Sequence, residues 1–434
     1  MLIGGIEMMK NIKLLVMLAL VFALALTAVA CGSEPASTAN ATETTAALTQ
    51  PATQTTTATT TAVTTTAAET TAETTEAKVF SSLKIGETPI SEYIIVYAGT
   101  EFSSYTKIPN MKPYFPVCDF NRETAERLSD MIFSLTGVRL KAVGDTKSVA
   151  TANEILIGNT NRTDAVKPLM LNNLSSDDYV IDVEGTKLVI CGGEYGTTWH
   201  ALDYLETFFA GLLAEHKTDY AFASDFSYKG NYHLVRIGCI GDSITQGNNI
   251  SPTVLTYPAH LARYLWKDAL VTNLGSSGST MRDDLAAYTE RDVYQTALKI
   301  APETDLFIIM LGTNDSFYDG SWTSDDSEKF NADCLDIVNS LWTKNKNLQF
   351  VLANCPKYFG TGGWASATVR LLQKALVPTL NEAGYPTTFF DMYTATSDMG
   401  NYFTDQLHPN KEGYMMMGEI YAKALAPIIE SMKK

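Results

Sequence analysis

The chain is expected to be an α/β protein whose C-terminal half is built around a parallel sheet, preceded by a smaller α/β domain and a disordered tether. Three observations carry this. From Leu234 onward, apolar strand-like runs alternate with amphipathic stretches, the pattern of a parallel sheet covered on both faces. Between about residues 79 and 229, short β-rich runs are interleaved with two helical stretches. Ahead of both, residues 32–78 collapse to Thr, Ala, Glu, Ser, Pro and Gln, a composition with too few large apolar side chains to offset the entropy of ordering.

At the N-terminus, Lys10 and Lys13 precede an apolar run from Leu14 to Ala30 that ends in "LTAVAC", the layout of a secretory signal over residues 1–31. The run is shorter than the roughly 20 residues of a spanning helix. "AVAC" followed by "GS" resembles a bacterial lipoprotein signal, which implies lipidation of Cys31 as the first mature residue, although Ala28 stands where such signals usually carry Leu. Plain secretion and a retained anchor are the alternatives. All three place the remainder outside the cytoplasm, as a bacterial cell-surface lipoprotein or a secreted protein, and any membrane contact is through the N-terminus alone. The Thr-rich tether, treated as a flexible coil, would hold the folded part about 40 Å from its anchor.

With 48 acidic against 32 basic residues the chain carries a net charge of −16 and no basic stripe, so nucleic acid is not an expected partner. Beyond Cys31 there are Cys118, Cys191, Cys239, Cys334 and Cys355. Those in "LVICGG", "IGCIGD" and "VLANCP" end apolar runs, where a thiol behaves as a small core residue. No CxxC or Cys/His cluster appears, so neither a disulfide framework nor a metal site is expected, and the chemistry proposed below needs no cofactor.

In the region 79–229 the runs "EYIIVYA", "LKAVGD", "EILIGNT", "YVIDVEG" and "TKLVICGG" read as strands, the last two joined by a hairpin at Glu184-Gly185. Ala125, Leu128, Ile132 and Leu135 repeat at helical spacing over Arg122 to Leu135, with Gly137 as a stop. A second helix, Thr198 to Leu213, carries Trp199, Leu202, Leu205, Phe209 and Leu212; its His200 reads as a satisfied core histidine rather than a ligand. The stretches "IGETPISEYIIVY", "EILIGNTNRT" and "GGEYGTTWHALDYLETFFAG" resemble the non-catalytic α/β domain that precedes the barrel in some bacterial polysaccharide-degrading glycoside hydrolases. That resemblance implies a carbohydrate context and no chemistry of its own.

In the region 230–434, strands are expected at Val235 to Ile240, Ala269 to Leu274, Leu306 to Leu311, Phe350 to Asn354 and Thr387 to Asp391, with helices at Tyr257 to Leu265, Phe330 to Trp342 and Ala367 to Leu380. Ligands of such sheets bind at the carboxyl ends of the strands. Ser243 sits at one such end, in "GDSITQG". Alone it reads as a helix cap. Its company alters that reading: "NLGSSGST" and "LGTND" also follow strands, and "DQLHP" comes last.

These four blocks, in this order, resemble the GDSL esterases and lipases, also called SGNH hydrolases. The resemblance covers Leu234 to the C-terminus and implies a flavodoxin-like three-layer fold. It further implies Ser243 as nucleophile, His408 as general base, Asp405 as the group orienting the imidazole, and an oxyanion hole from Ser243, Gly278 and Asn314. Gly278 is preferred over Gly275 because the family's glycine follows the small pair after the strand's Asn, here Asn273. The residue types suit the chemistry independently. A hydroxyl is a poor nucleophile until a base takes its proton, histidine is the side chain that titrates nearest neutrality, and a carboxylate three residues away can fix its tautomer. Asn314 could equally be a turn residue, and Asp405 a cap of the last helix, which Pro409 is expected to begin. Asp242 and Asp315 read as loop braces. No GxSxG elbow is present.

The expected function is therefore an exported serine esterase for short, chiefly acetyl, esters on plant polysaccharide or oligosaccharide such as acetylated xylan. A lipase, thioesterase or aryl esterase of the same family, or a non-catalytic carbohydrate-binding surface lipoprotein, is the alternative. A glycosidase barrel is disfavoured, since the region after the N-terminal domain falls short of the typical ~250 residues. Trp364 and Tyr358, in "YFGTGGWAS", are candidates for stacking on sugar rings, with a role in the loop's own core as the other reading.

Overall fold

The computed structural model describes residues 80–99, 120–162, 174–251, 255–317, 322–361 and 367–433. The signal, Cys31, the tether, Cys118 and Trp364 lie outside them. Lys78–Lys434 form one compact unit. It contains two main sheets and a small three-stranded one.

The small sheet joins β1 (Ser82–Ile85) to β2 (Thr88–Pro89) and β8 (Asp219–Phe222). The first main sheet has the order β4-β3-β5-β7-β6-β9. Here β3 (Ile94–Tyr97), β4 (Ala142–Gly144), β5 (Glu154–Ile157) and β7 (Lys187–Gly192) run parallel, while β6 (Asp178–Glu184) and β9 (Ser227–Asn231) are antiparallel to their neighbours. The β6–β7 hairpin closes at Glu184↔Lys187 with Gly185 at φ 62°, as its sequence leads one to expect. Helices Phe120–Thr136 and Tyr195–Ala214 bury Ala125, Leu128, Ile132, Ala201, Leu202, Leu205 and Phe209 against Ile95, Ile155, Ile181 and Ile190. Lys229 lies inside β9, so this sheet extends to Asn231.

The second main sheet is wholly parallel, in the order β11-β10-β12-β13-β14: β10 (Val235–Gly241), β11 (Ala269–Gly275), β12 (Leu306–Met310), β13 (Gln349–Ala353) and β14 (Thr387–Phe390). Counted from β10 this is 2-1-3-4-5, the flavodoxin-like order. One face, Val235, Ile237, Cys239, Leu306, Ile308 and Met310, packs under helices Tyr257–Tyr264 and Lys411–Met432, where Tyr257, Tyr414, Met417 and Tyr421 are fully buried. Because side chains alternate along a strand, Ile240, Phe307 and Ile309 face the other way, toward helices Asp292–Ile300, Ser324–Trp342 and Ala367–Glu382.

Some boundaries differ from expectation for identifiable reasons. Ser324–Trp342 begins six residues before the apolar spacing at Phe330 starts. The Thr323 hydroxyl accepts from Asp326 N, and the Asp326 carboxylate accepts from Thr323 N, so a capping box starts the helix ahead of its apolar face. The last helix begins at Lys411, with the Asn410 side chain accepting from Gly413 N. Pro409 therefore precedes the cap instead of opening the helix, and pairs with Phe403 in an isolated bridge. Cys191, Cys239, Cys334 and Cys355 are all buried thiols.

His200 is half-buried and satisfied, at the seam between the two sheets' layers and not in the core of the first. Its ring stacks on Tyr232 with centroids 3.4 Å apart, Nε2 lies 3.0 Å from the Lys267 carbonyl, and Nδ1 meets Asp203. Phe120 stacks on Trp266 at 4.6 Å, and Lys267 lies 3.6 Å from the centre of the Trp199 ring. Arg236 and Leu234 both bond Asp177 across the same seam.

Candidate active site

β10 delivers its last residue, Gly241, to the carboxyl edge of the sheet. A Cβ there would fall 2.0 Å from Thr245 Oγ1 and 2.9 Å from Met310 O, so only glycine lets the chain turn at once into the short helix Ser243–Gln246. Asp242 caps that helix, accepting from Ile244 N at 2.9 Å. Ser243 thus stands as the first helical residue, 6% exposed, with its N–H free of any intrahelical acceptor.

His408 reaches the same edge from a turn after the last strand. Thr404 N donates to His408 O, and Gln406 takes φ 68° to close the turn. Asp405 Oδ1 accepts from Leu407 N at 3.1 Å and His408 N at 2.6 Å. Asp405 Oδ2 lies 2.7 Å from His408 Nδ1, and His408 Nε2 lies 2.8 Å from Ser243 Oγ. Burial works against the Asp405 charge, but the bonds from His408 and Leu407 outweigh it and hold the carboxyl at about 2. An ionised carboxylate only accepts, so Nδ1 carries the imidazole proton and Nε2 presents its lone pair to the serine hydroxyl.

The donors for a negative oxygen come from two further loops. Asn314, in the short helix Thr313–Phe317 after β12, gives one amide hydrogen to Ser279 O at 2.9 Å and keeps the other. The loop after β11 distinguishes the two glycines. Gly275 N donates to Asn273 Oδ1 at 2.9 Å, and a Cβ at Gly275 would lie 2.1 Å from Gln246 N, so this glycine serves close packing against the Ser243 helix. Gly278 is exposed at φ 75° with open space where a Cβ would be, and its N–H has no acceptor among the described residues. The turn therefore needs glycine at 278 for its backbone alone.

Two buried acids brace these loops. Asp315 accepts from Met281 N at 2.9 Å and Arg282 N at 3.0 Å, tying the Gly278 loop to the Asn314 helix. Burial, opposed by those two N–H donors, pushes its carboxyl up to about 6. Asp242 is fully buried and its carboxyl is likewise raised by burial.

One residue that sequence reading passes over is Asn249. Its Nδ2 donates to Asp405 Oδ2 at 3.0 Å, the oxygen that also faces His408. The only signal is its position just past "GDSITQG", where φ 66° marks a turn that Asn tolerates. Tyr358 is half-buried in a loop tied to the Asp405–His408 turn by Phe359 N donating to Gln406 O at 2.9 Å. A Cβ at Gly360 would fall 2.2 Å from the Tyr358 hydroxyl and 2.3 Å from Gln406 Oε1, which places Tyr358 beside that turn.

The constellation suits acyl transfer. His408 can take the Ser243 proton as Oγ attacks an ester carbonyl, Asp405 can stabilise the imidazolium, and the Ser243 and Gly278 N–H groups with the Asn314 amide can converge on the oxyanion. Among the described residues no group of three or more His, Cys, Asp or Glu could hold a metal ion, and no helix is long and apolar enough to cross a membrane.

Residues 239–416 match the GDSL-like lipase/acylhydrolase family, and the C-terminal region carries a domain of that family. An acetylxylan esterase of Xylanibacter ruminicola is 27% identical over 210 residues, which are 44% of this chain and 43% of that protein. The chain thus spans less than half the length of this curated relative. Among solved structures, an aryl esterase of M. smegmatis is 19% identical, covering 45% of this chain and 99% of its own, with a TM-score of 0.34. Est24, a carbohydrate acetylesterase from Sinorhizobium meliloti, is 20% identical with the same 45% and 99% coverage and a TM-score of 0.34.

Proposed function

We propose that this chain is an exported serine esterase that removes short acyl groups, chiefly acetyl, from polysaccharide such as acetylated xylan, through an acyl-enzyme on Ser243. The observation that carries the esterase reading is the continuous chain Ser243 Oγ, His408 Nε2, His408 Nδ1, Asp405 Oδ2, with links of 2.8 and 2.7 Å. In the first half-reaction His408 accepts the serine proton and then gives it to the leaving sugar oxygen. In the second it takes a proton from water, which attacks the acyl group and frees acetate and Ser243.

The substrate class rests on the name of the curated relative and on the polar loops around the site. Those that follow the strands carry Gly, Ser, Thr, Asp and Tyr in place of the apolar trough that a long acyl chain needs. Lipid or retained-signal anchoring at residues 1–31, followed by the Thr-rich tether, fits an enzyme that works on polymer outside the cell. Two assays test the reading together: turnover of a chromogenic acetate ester and acetate released from acetylated xylan. Both should be present in the wild type and lost in Ser243→Ala. A preference for octanoate over acetate esters in kcat/KM would redirect the reading to a lipase, and turnover by Ser243→Ala would end it.

A further inference from the structure

The first main sheet also reverses its strand order, and the reversal opens a cleft. From β3 the chain passes to β4 on one side and then returns to β5 on the other. In open parallel sheets ligands settle at the carboxyl ends of the strands beside such a reversal. The loops there are Ala98-Gly99 after β3, Gly158-Asn159 after β5, and Gly193-Glu194 after β7, and they frame a cleft of ≈ 590 Å³. That volume falls in the range of about 300–1,000 Å³ typical of small-molecule sites.

We propose that this cleft is a second ligand site, one that binds an uncharged saccharide, with Asn121, Asn159 and Glu194 as its polar contacts. It shares no residue with the Ser243 site and does not depend on the esterase reading.

Asn121 gives the strongest indication that the cleft is built for a ligand. It is 3% exposed and lines the cleft, its Nδ2 donates to the Ala98 carbonyl at 3.1 Å, and its Oδ1 has no hydrogen-bond partner among the described residues. A buried carbonyl oxygen left without a donor destabilises the fold. A ligand hydroxyl donating to Oδ1 removes that destabilisation.

The lining also decides the class of ligand. The glycines and the start of helix Tyr195–Ala214 would suit a phosphate, yet among the described residues no Lys or Arg lines the cleft, and the Glu194 carboxylate stands at the helix start. An anion is therefore repelled. A metal cation lacks the cluster of ligands it requires among the described residues. What remains is a neutral group that both donates and accepts: hydroxyls can donate to Asn121 Oδ1 and to Glu194, and accept from the exposed Asn159 amide. Tyr195, also in the lining, supplies the aromatic surface on which a pyranose ring packs.

The test uses the full chain carrying Ser243→Ala, so that nothing is turned over, titrated calorimetrically with xylotetraose, cellotetraose and mannotetraose, and with inorganic phosphate as the anion arm. At least one oligosaccharide should bind, phosphate should not, and Glu194→Gln and Asn159→Ala should each weaken the sugar by about tenfold or more. With Ser243 intact, the same two substitutions should leave turnover of a small acetate ester within about twofold of wild type. If Glu194→Gln lowers the melting temperature, Asn159→Ala, on an exposed residue, still decides. Absence of binding by all three sugars, binding undiminished by either substitution, or phosphate binding in preference to sugar would overturn the proposal.

Discussion

The two main sheets place a reversal of strand order at the same point, between the first strand and the third, and furnish it differently. In the second sheet the loops after β10 and β12 bring Ser243 and Asn314 to the reversal, and a distant turn adds His408. In the first, the loops after β3 and β5 bring Gly99, Gly158 and Asn159, with Glu194 arriving from β7. Among the described residues, that lining holds no histidine to pair with a hydroxyl as His408 pairs with Ser243. Topology therefore fixes where a ligand can sit, and the side chains on three or four loop residues determine whether it is transformed or only held.

The largest effects should come from removing that difference. Ser243→Ala and His408→Ala should each lower kcat on a soluble acetate ester by about 10⁴-fold or more, and the double variant should be little worse than either, because both disable one step. Additive losses, measured by steady-state kinetics, would mean that the two residues act separately.

A sharper contrast lies within the loop after β11. Gly275→Ala drives a Cβ against Gln246 N, so it should cost melting temperature and expression. Gly278→Ala meets no atom and only strains a left-handed backbone, by about 1–2 kcal/mol. Its loss should appear chiefly in kcat, with a smaller fall in melting temperature than Gly275→Ala gives. Equal effects on stability from both would contradict the assignment of Gly278 to the oxyanion hole.

Asn249→Ala removes one of the bonds to Asp405 Oδ2 while leaving His408 Nδ1 and both backbone donors in place. We expect kcat/KM to fall by roughly tenfold or less, with KM little changed, and Asn249→Asp to be worse than Asn249→Ala because it sets a second carboxylate beside the first. Unaltered kinetics in both variants would show that Asn249 holds only its own loop.

The smallest expected effect concerns the seam that joins the two sheets. Burial opposes charge on His200, but the carboxylates of Asp203 and Asp268 and the Lys267 carbonyl outweigh it and raise its pKa, with Tyr232 stacked on the ring and Lys433 bonded to Asp268. A histidine raised in the folded state binds its proton more tightly than in the unfolded chain. Its contribution is complete below the unfolded pKa of about 6.5 and is lost as pH rises through the folded value. Melting temperature should therefore decline across that window in the wild type more steeply than in His200→Gln. Parallel curves would remove His200 from the seam's energetics.

Much of this was legible in the sequence where local chemistry and global fold agree. The alternation after Leu234 gives all five strands of the second sheet to within a residue or two, and "GDSITQG", "NLGSSGST", "LGTND" and "DQLHP" name loops that the fold brings to one edge. The parts that stayed hidden depend on partners far along the chain. β1, β2 and β9 are short, β2 and β9 are largely polar as well, and they take their strand character from pairing: β1 with β8, β2 with β1, and β9 with β6. Helix Asp292–Ile300 buries only Tyr294 and Ala297, too few positions for a period to show. His200 looked like a core residue because Trp199, Leu202 and Leu205 surround it in sequence, while the groups that satisfy it, Tyr232, Lys267 and Asp268, belong to later segments. Asn249 and Asn121 carry no motif, and only the fold reveals that one touches Asp405 and the other leaves an oxygen unpaired in a cleft.

The central claim is that the serine ending β10 is the group acylated, and the most direct measurement is the intact mass and peptide map of the full chain after reaction with a serine-directed phosphonate. The account predicts one adduct, on Ser243, forming at a rate that collapses in His408→Ala and parallels the loss of acetate-ester turnover. An adduct on another serine, or complete inactivation with Ser243 unmodified, would contradict it.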